Sequence, residues 1–263
     1  MNNIFKNRFK DKVVVVTGAA QGIGKAVAIR IAREGGKVVA VDRSKWLETA
    51  INEAKFWGTD MMPILADLET LKGFQMVFQK AKERFGKIDI LINNVGGTIW
   101  AKPFHEYQED EIVKEINRSL YPTLWGCRAV LPYFLEQGGG AIVNISSIAT
   151  RGINRVPYSA AKGGVNALTV SLAMEYAEQN IRINAIATGG TEAPPRAIPR
   201  NANPQSDQEK VWYQQIVDQT IASTFMKRYG TIDEQVAAVL FLASDEASYI
   251  TGQIVPVSGG DTG

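Results

Sequence analysis

The sequence predicts an α/β fold, a doubly wound parallel β-sheet of about seven strands with helices on both faces, built as a single domain over residues 1–263. Two observations carry this. Short apolar runs alternate with amphipathic stretches of roughly 12 to 20 residues, the rhythm of strand–helix–strand crossovers. Each run also closes on a polar residue, at the strand end where open α/β sheets bind their ligands.

Taken in order, Val13-Val14-Val15-Val16 reads as a strand buried on both faces, followed by a glycine segment, Thr17-Gly18-Ala19-Ala20-Gln21-Gly22-Ile23-Gly24, and an amphipathic helix from Lys25 to Glu34. Val38–Val41 ends at Asp42, Met62–Ala66 at Asp67, and Ile88–Ile92 at Asn93. Ala141–Ile145 ends at Ser146-Ser147, Ile181–Ile186 runs on to Thr188-Gly189, and a last strand lies around Ile254 to Val257. The exception to the rhythm is the stretch from Gly189 to Asp207, with prolines at 194, 195, 199 and 204, which reads as a substrate loop or lid within an insertion near 189–222. Met1 to Lys12 is polar and basic and reads as a frayed tail.

Bulk composition narrows the function. The chain is 45% hydrophobic with a net charge of +2, enough for one large core and too neutral for a nucleic-acid partner. One cysteine, Cys127, excludes an internal disulfide and reads as a small buried side chain. One histidine, His105, leaves no His-rich cluster, so no metal is expected. No apolar run long enough to span a bilayer and no signal-like start are visible, so the expected location is the cytoplasm, with no membrane partner.

The chemistry sits in two motifs. A strand, a glycine turn and a helix start together bind pyrophosphate, because free backbone N–H groups and the helix dipole point at the anion. This makes the sheet Rossmann-type and assigns Gly18, Gln21, Gly22, Ile23 and Gly24 to the cofactor. Asp42, eighteen residues beyond Gly24, is placed to accept the adenosine ribose hydroxyls and to repel a 2′-phosphate. Arg43 beside it argues for NADP, whereas Gln21 adds no charge to the turn; the balance favours NAD. Downstream, Tyr158 and Lys162 are four apart on one helical face. A cation beside a phenol favours the phenolate, a general base for an alcohol, and beside a dinucleotide site that base points to hydride transfer.

Together these residues resemble the short-chain dehydrogenase/reductase family over nearly the whole chain. Thr17-Gly18 with Gly22 and Gly24 matches its glycine signature, and Asn93-Asn94-Val95-Gly96 its Asn-Asn-Ala-Gly element. The resemblance implies that Tyr158 and Lys162 are the active pair and that Ser147 supports them, three after Asn144, with Ser146 as a rival. It places the fourth catalytic position, an Asn in the family and part of a proton relay, at Ser119 in a preceding long helix; Asn117, about 200° around that helix, reads as a decoy. It also implies adenine-side contacts from Asp67 and Leu68, with a helix cap as the alternative for Asp67. Contacts from Asn94 and Gly96 to the adenine ribose, and from Gly189 and Thr191 to the nicotinamide, follow from the same resemblance. Thr188 stands where the family has proline, which predicts a looser turn there. A homotetramer is implied, with the two long helices and the C-terminal strand at its interfaces.

Four substrate-side segments, 94–104, 149–157, 189–196 and 227–234, are similar to one subgroup, the benzoate and toluate cis-diol dehydrogenases. The resemblance implies oxidation of 1,6-dihydroxycyclohexa-2,4-diene-1-carboxylate: Tyr158 takes the proton of the secondary hydroxyl, Ser147 orients that oxygen, and the carbon's hydride passes to NAD⁺. The resulting β-keto acid loses CO₂ and becomes catechol. The carboxylate needs a cation, and arginine offers a two-donor fork. Candidates are Arg151, Arg155, Arg196 and Arg200, with Arg155 and Arg196 preferred and solvated surface arginines as the alternative. Trp100 and Phe104 are candidates for an apolar wall, and Trp212 and Tyr213 for a cap, ordinary packing being the alternative for each. Competing functions are a dehydrogenase of the same family acting on a neutral or acyl-carrier alcohol, and a catalytically silent NAD-sensing protein.

Overall fold

In the computed structural model, which describes residues 4–201 and 203–262, the run from Val13 to Val16 is fully buried and lies inside the first strand. The elements are β1 (Val13–Thr17), α1 (Gly22–Arg33), β2 (Lys37–Asp42), α2 (Leu47–Phe56), β3 (Met61–Leu65), α3 (Leu71–Phe85) and β4 (Ile90–Asn93). They continue with α4 (Glu109–Ser119), α5 (Tyr121–Gln137), β5 (Gly140–Ser147), α6 (Val156–Tyr176) and β6 (Ile181–Thr188). The last are β7 (Thr191–Glu192), α7 (Asp207–Ser223), β8 (Gly230–Thr231), α8 (Ile232–Ala243) and β9 (Ile254–Val257). Seven strands pair in parallel in the order β3-β2-β1-β4-β5-β6-β9, with Val15 opposite Val39 on one side and Leu91 on the other. The sequence expectation of the sheet and its strand positions holds, with boundaries shifted by a residue or two. The short parallel pair β7–β8 was not anticipated.

Period-two alternation distributes β1 between two cores. Val14 and Val16 pack with Ile29 and Ile31 of α1 and Val239 and Leu240 of α8. Val15 packs on the other face with Phe74 and Phe78 of α3 and Val130 and Phe134 of α5. Because β1 pairs with both β2 and β4, the chain reverses its winding direction there, and a crevice opens above the carboxyl ends of β1 and β4.

Three expectations are corrected. The N-terminal segment is anchored rather than frayed where it is described: Phe9 is fully buried, its N–H donates to Glu34 O at 3.0 Å, and Arg8 pairs with buried Glu34 at 3.0 Å. The single long helix before β5 is two helices, broken at Leu120 (φ −113°, ψ −54°). Pro122 accounts for the break, since it lacks an N–H to continue the α4 ladder yet suits the first turn of α5. The cap of α3 is Thr70, whose hydroxyl accepts from Gly73 N, and not Asp67.

Candidate active site

The glycine turn shows why each of its residues is needed. Gly18 and Gly22 have φ of +66° and +61°, and a Cβ on Gly24 would overlap the carbonyl oxygen of Gly18. Asn94 stitches this turn to the end of β4: its backbone N–H donates to Thr17 Oγ1 (2.8 Å) and its Nδ2 to Thr17 O (3.0 Å) and Gly18 O (3.3 Å). No side chain caps α1, so the N–H groups of its first turn face the crevice uncommitted by a cap. Those groups, with Gly22 opening onto free space, fit a pyrophosphate. At the end of β2 the Asp42 carboxylate is oriented by two backbone donors, Ala20 N (3.1 Å) and Ser44 N (3.0 Å). Arg43 is turned to Glu69 (3.3 Å), which also accepts from Arg118 Nε (2.9 Å). Asp67 accepts from Glu69 N at 3.0 Å.

A cavity of about 750 Å³ follows this edge of the sheet. It joins the dinucleotide half (Gly18, Gln21, Gly22, Ile23, Asp42, Arg43) through Asp67, Leu68, Asn94 and Gly96 to Ser147, Tyr158 and Lys162, and ends at Gly189 and Thr191. Tyr158 and Lys162 are buried on one face of α6, with the Lys162 ammonium 5.9 Å from the centre of the Tyr158 ring. Lys162 Nζ donates to Ile145 O at 2.6 Å, and burial, followed by the charge of Arg200, brings its pKa down to about 7. Ser147 lies at the end of β5, donating to Thr188 O (3.3 Å) and accepting from Ala149 N (3.0 Å). Its rival Ser146 is committed to Asn166 Oδ1 at 2.5 Å. The turn after β6 is not loose despite lacking proline: Thr188 Oγ1 donates to Ser146 O, Gly189 N to Val257 O and Thr191 Oγ1 to Gly189 O.

Ser119 is fully buried at the end of α4, where its hydroxyl accepts from Gly97 N at 3.2 Å. It and Lys162 both lie close to Gly96, where a Cβ would meet Lys162 Nζ at 3.2 Å and Ser119 Cα at 3.6 Å. One turn earlier on the same face, Glu115 accepts from Ile99 N (2.7 Å) and Trp100 N (3.0 Å). Burial raises the Glu115 pKa, and these two donors oppose that. Sequence reading missed Glu115; its spacing of four from Ser119 was the available signal. It also missed Asn154, which adopts φ +56° and donates to Trp212 O (3.1 Å) and Gln215 Oε1 (2.8 Å), tying the loop after β5 to α7.

Three of the four candidate arginines, Arg155, Arg196 and Arg200, line the cavity beside Tyr158; Arg151 is exposed outside it. None of the three has an ion-pair partner among the described residues. Desolvation, then repulsion by Arg200, pulls Arg196 down to about 10, so it stays charged at neutral pH. Trp100 and Tyr213 line the cavity, whereas Phe104 is 54% exposed outside it and Trp212 does not reach it. Cys127 is buried against Asn93 and Asn144, and burial lifts its thiol to about 12.

The short chain dehydrogenase family profile matches residues 12–204. The chain belongs to that family. It is an NAD(P)-dependent oxidoreductase acting on a small molecule. It is 60% identical over 256 residues to 1,6-dihydroxycyclohexa-2,4-diene-1-carboxylate dehydrogenase of Acinetobacter baylyi, covering 97% of this chain and 98% of that one. To the enzyme of the same name from Pseudomonas putida it is 61% identical, covering 97% and 94%. Among solved structures, levodione reductase is 33% identical with a TM-score of 0.85, covering 97% and 98%. No helix among the described residues is long and apolar enough to cross a membrane.

Proposed function

We propose that the protein oxidises 1,6-dihydroxycyclohexa-2,4-diene-1-carboxylate with NAD⁺, giving catechol, CO₂ and NADH in the degradation of benzoate. The observation that carries this reading is the wall of three unpaired arginines beside the catalytic tyrosine. A neutral alcohol would leave those charges uncompensated, whereas a carboxylate answers them. The two relatives at 60% and 61% identity bear the name of this activity.

Gly18, Gly22, Ile23 and Gly24 hold the pyrophosphate, Asp42 the adenosine ribose, Asp67 and Leu68 the adenine, and Asn94 and Gly96 the ribose edge. NAD is favoured over NADP because Asp42 presents a fixed carboxylate while Arg43 is engaged by Glu69. A bound nicotinamide supplies hydride acceptance at C4, with Gly189 and Thr191 at its carboxamide. Tyr158 removes the proton of the secondary ring hydroxyl while Ser147 donates to that oxygen. Lys162 holds the ribose beside the phenol, and Ser119 takes the family asparagine's place in the relay behind it. Trp100 walls the diene ring, and Arg155, Arg196 and Arg200 supply the field for the carboxylate. The ketone so formed lies β to the carboxylate, which departs as CO₂ because the electron pair left behind is delocalised onto the ketone oxygen; the resulting enolate is the aromatic catechol monoanion, and one proton completes catechol.

The reading extends to a cytoplasmic homotetramer whose small-molecule substrate is its only non-protein partner besides the cofactor. Exposed apolar Val170 and Met174 on α6 and Leu135 on α5 support assembly through those helices, and light scattering tests it. Initial rates with the carboxylated diol test the substrate and cofactor together. NADH formation with NAD⁺ far exceeding that with NADP⁺ is the expected result; equal rates with both overturn the cofactor assignment, and no reaction with either overturns the substrate.

A further inference from the structure

Arg200 is seated differently from the other two cavity arginines. Its guanidinium lies against the Cα of Gly97, so closely that a Cβ there would overlap Cζ, Nη2 and Nε. Gly97 has φ +128°, which favours glycine on its own account. Nη1 donates to Thr98 O at 3.4 Å. The seat itself is fixed from below, because Ser119 holds Gly97 N and Glu115 holds Ile99 N and Trp100 N.

The segment that delivers Arg200 is fixed as well. Two residues earlier, Ile198 and Gln21 form a reciprocal pair: Gln21 Nε2 donates to Ile198 O (3.0 Å), and Ile198 N donates to Gln21 Oε1 (3.2 Å). Gln21 belongs to the glycine turn, 177 residues away in sequence. A guanidinium has five N–H donors; one is used on Thr98 O, and no carboxylate lies within ion-pair distance among the described residues. Arg196, by contrast, is more exposed and has no such seat. Arg155, just before α6, lines the same cavity, its buried Nε without a hydrogen-bond partner.

We infer that Arg200 is the direct ligand of the substrate carboxylate, held on the Gly97–Thr98 seat, and that the Gln21–Ile198 pair ties its placement to the pyrophosphate turn. This rests on the proposed carboxylated substrate. Arg155 and Arg196 then act as surrounding positive field. The fork on a rigid seat selects a planar, two-oxygen anion, at a cost in ordering that is met before substrate arrives.

The test compares R200Q, R200K and, as a charge control outside the cavity, R151Q. Kinetics are measured on the carboxylated diol and on the neutral cis-diol of benzene, and inhibition is measured with benzoate and benzamide. R200Q is expected to lower kcat/KM for the carboxylated diol about 30- to 100-fold, mainly through KM, and to weaken benzoate to a similar degree. Its effect on the neutral diol and on benzamide is expected to be at least about tenfold smaller, with R200K recovering part of the loss. R151Q is expected to match the wild type throughout. Retained benzoate inhibition in R200Q, or equal losses on charged and neutral ligands, overturns the inference. A wild-type enzyme that is inhibited by benzoate through Arg200 yet does not oxidise the carboxylated diol overturns the substrate proposal instead.

Discussion

Tyr158 and Lys162 are one helical turn apart and buried at one cavity, the placement that the proposed proton transfer needs. Removing only the phenolic oxygen removes the proposed proton acceptor while keeping the ring that packs there. Tyr158→Phe is therefore expected to lower kcat by about 10²–10⁴-fold with little change in melting temperature; near-wild-type turnover would show that another group takes the proton. Lys162 carries a second consequence. Its pKa is 10.5 in the unfolded chain and about 7 in the fold, so between those values the unfolded chain binds more protons and stability rises with pH. The burial cost of the ammonium is fully present below pH 7 and is relieved on the way to pH 10.5. Cofactor-free Lys162→Met is thus expected to be more stable than wild type below pH 7, with the gap closing as pH rises, as measured by urea unfolding at each pH. A gap independent of pH would contradict the burial argument.

The elements around the pair are shaped by bonds that single residues make to distant backbone. Glu115 on α4 holds two N–H groups of the 97–100 loop, and Asn154 holds α7 by two bonds of 3.1 and 2.8 Å. Asn154→Ala removes both bonds and places alanine at positive φ. It is expected to cost about 2–4 kcal/mol in stability, summing two lost hydrogen bonds and an unfavourable left-handed conformation. Calorimetry checks this, and a cost below 1 kcal/mol would mean that α7 is held by its apolar contacts alone. Strands were legible because a run such as Val13–Val16 admits few other readings. The starts of α7 and α8 were not read, although Ser206 with Glu209 and Thr231 with Glu234 mark them as capping boxes. The break at Leu120 was missed although Pro122 marks it. The seating of Arg8 and Phe9 on Glu34 was missed because the pattern of Met1 to Lys12 is polar, and only the tertiary partner reveals the anchor.

Across the whole molecule, the glycine turn, Asp42, Asn94, Ser147, Tyr158 and Lys162 could be singled out in the sequence because they recur at fixed spacings at strand ends and on one face of α6, and the fold gathers them at one cavity. Substrate-side geometry was not legible there. The sequence favoured Arg155 and Arg196 among the four arginines and held no sign of the seat of Arg200, and contacts such as Gln21 with Ile198 join residues whose proximity no local pattern encodes. The fold sorts them, leaving Arg151 in solvent and bringing the other three to one wall. A concentration of positive charge at one end of the cavity also attracts an anionic substrate at long range. The KM for the carboxylated diol is accordingly expected to rise with ionic strength while that for a neutral diol stays level, since exposed-path electrostatics are screened within about 8 Å at 0.15 M salt. Parallel salt responses for the two substrates would remove the field from the account.

The most direct measurement mixes the purified protein, NAD⁺ and 1,6-dihydroxycyclohexa-2,4-diene-1-carboxylate, and follows NADH absorbance and catechol together. The account predicts that both appear in equal amounts and at the same rate. NADH formed only from neutral diols, or no NADH from the carboxylated diol, would contradict it.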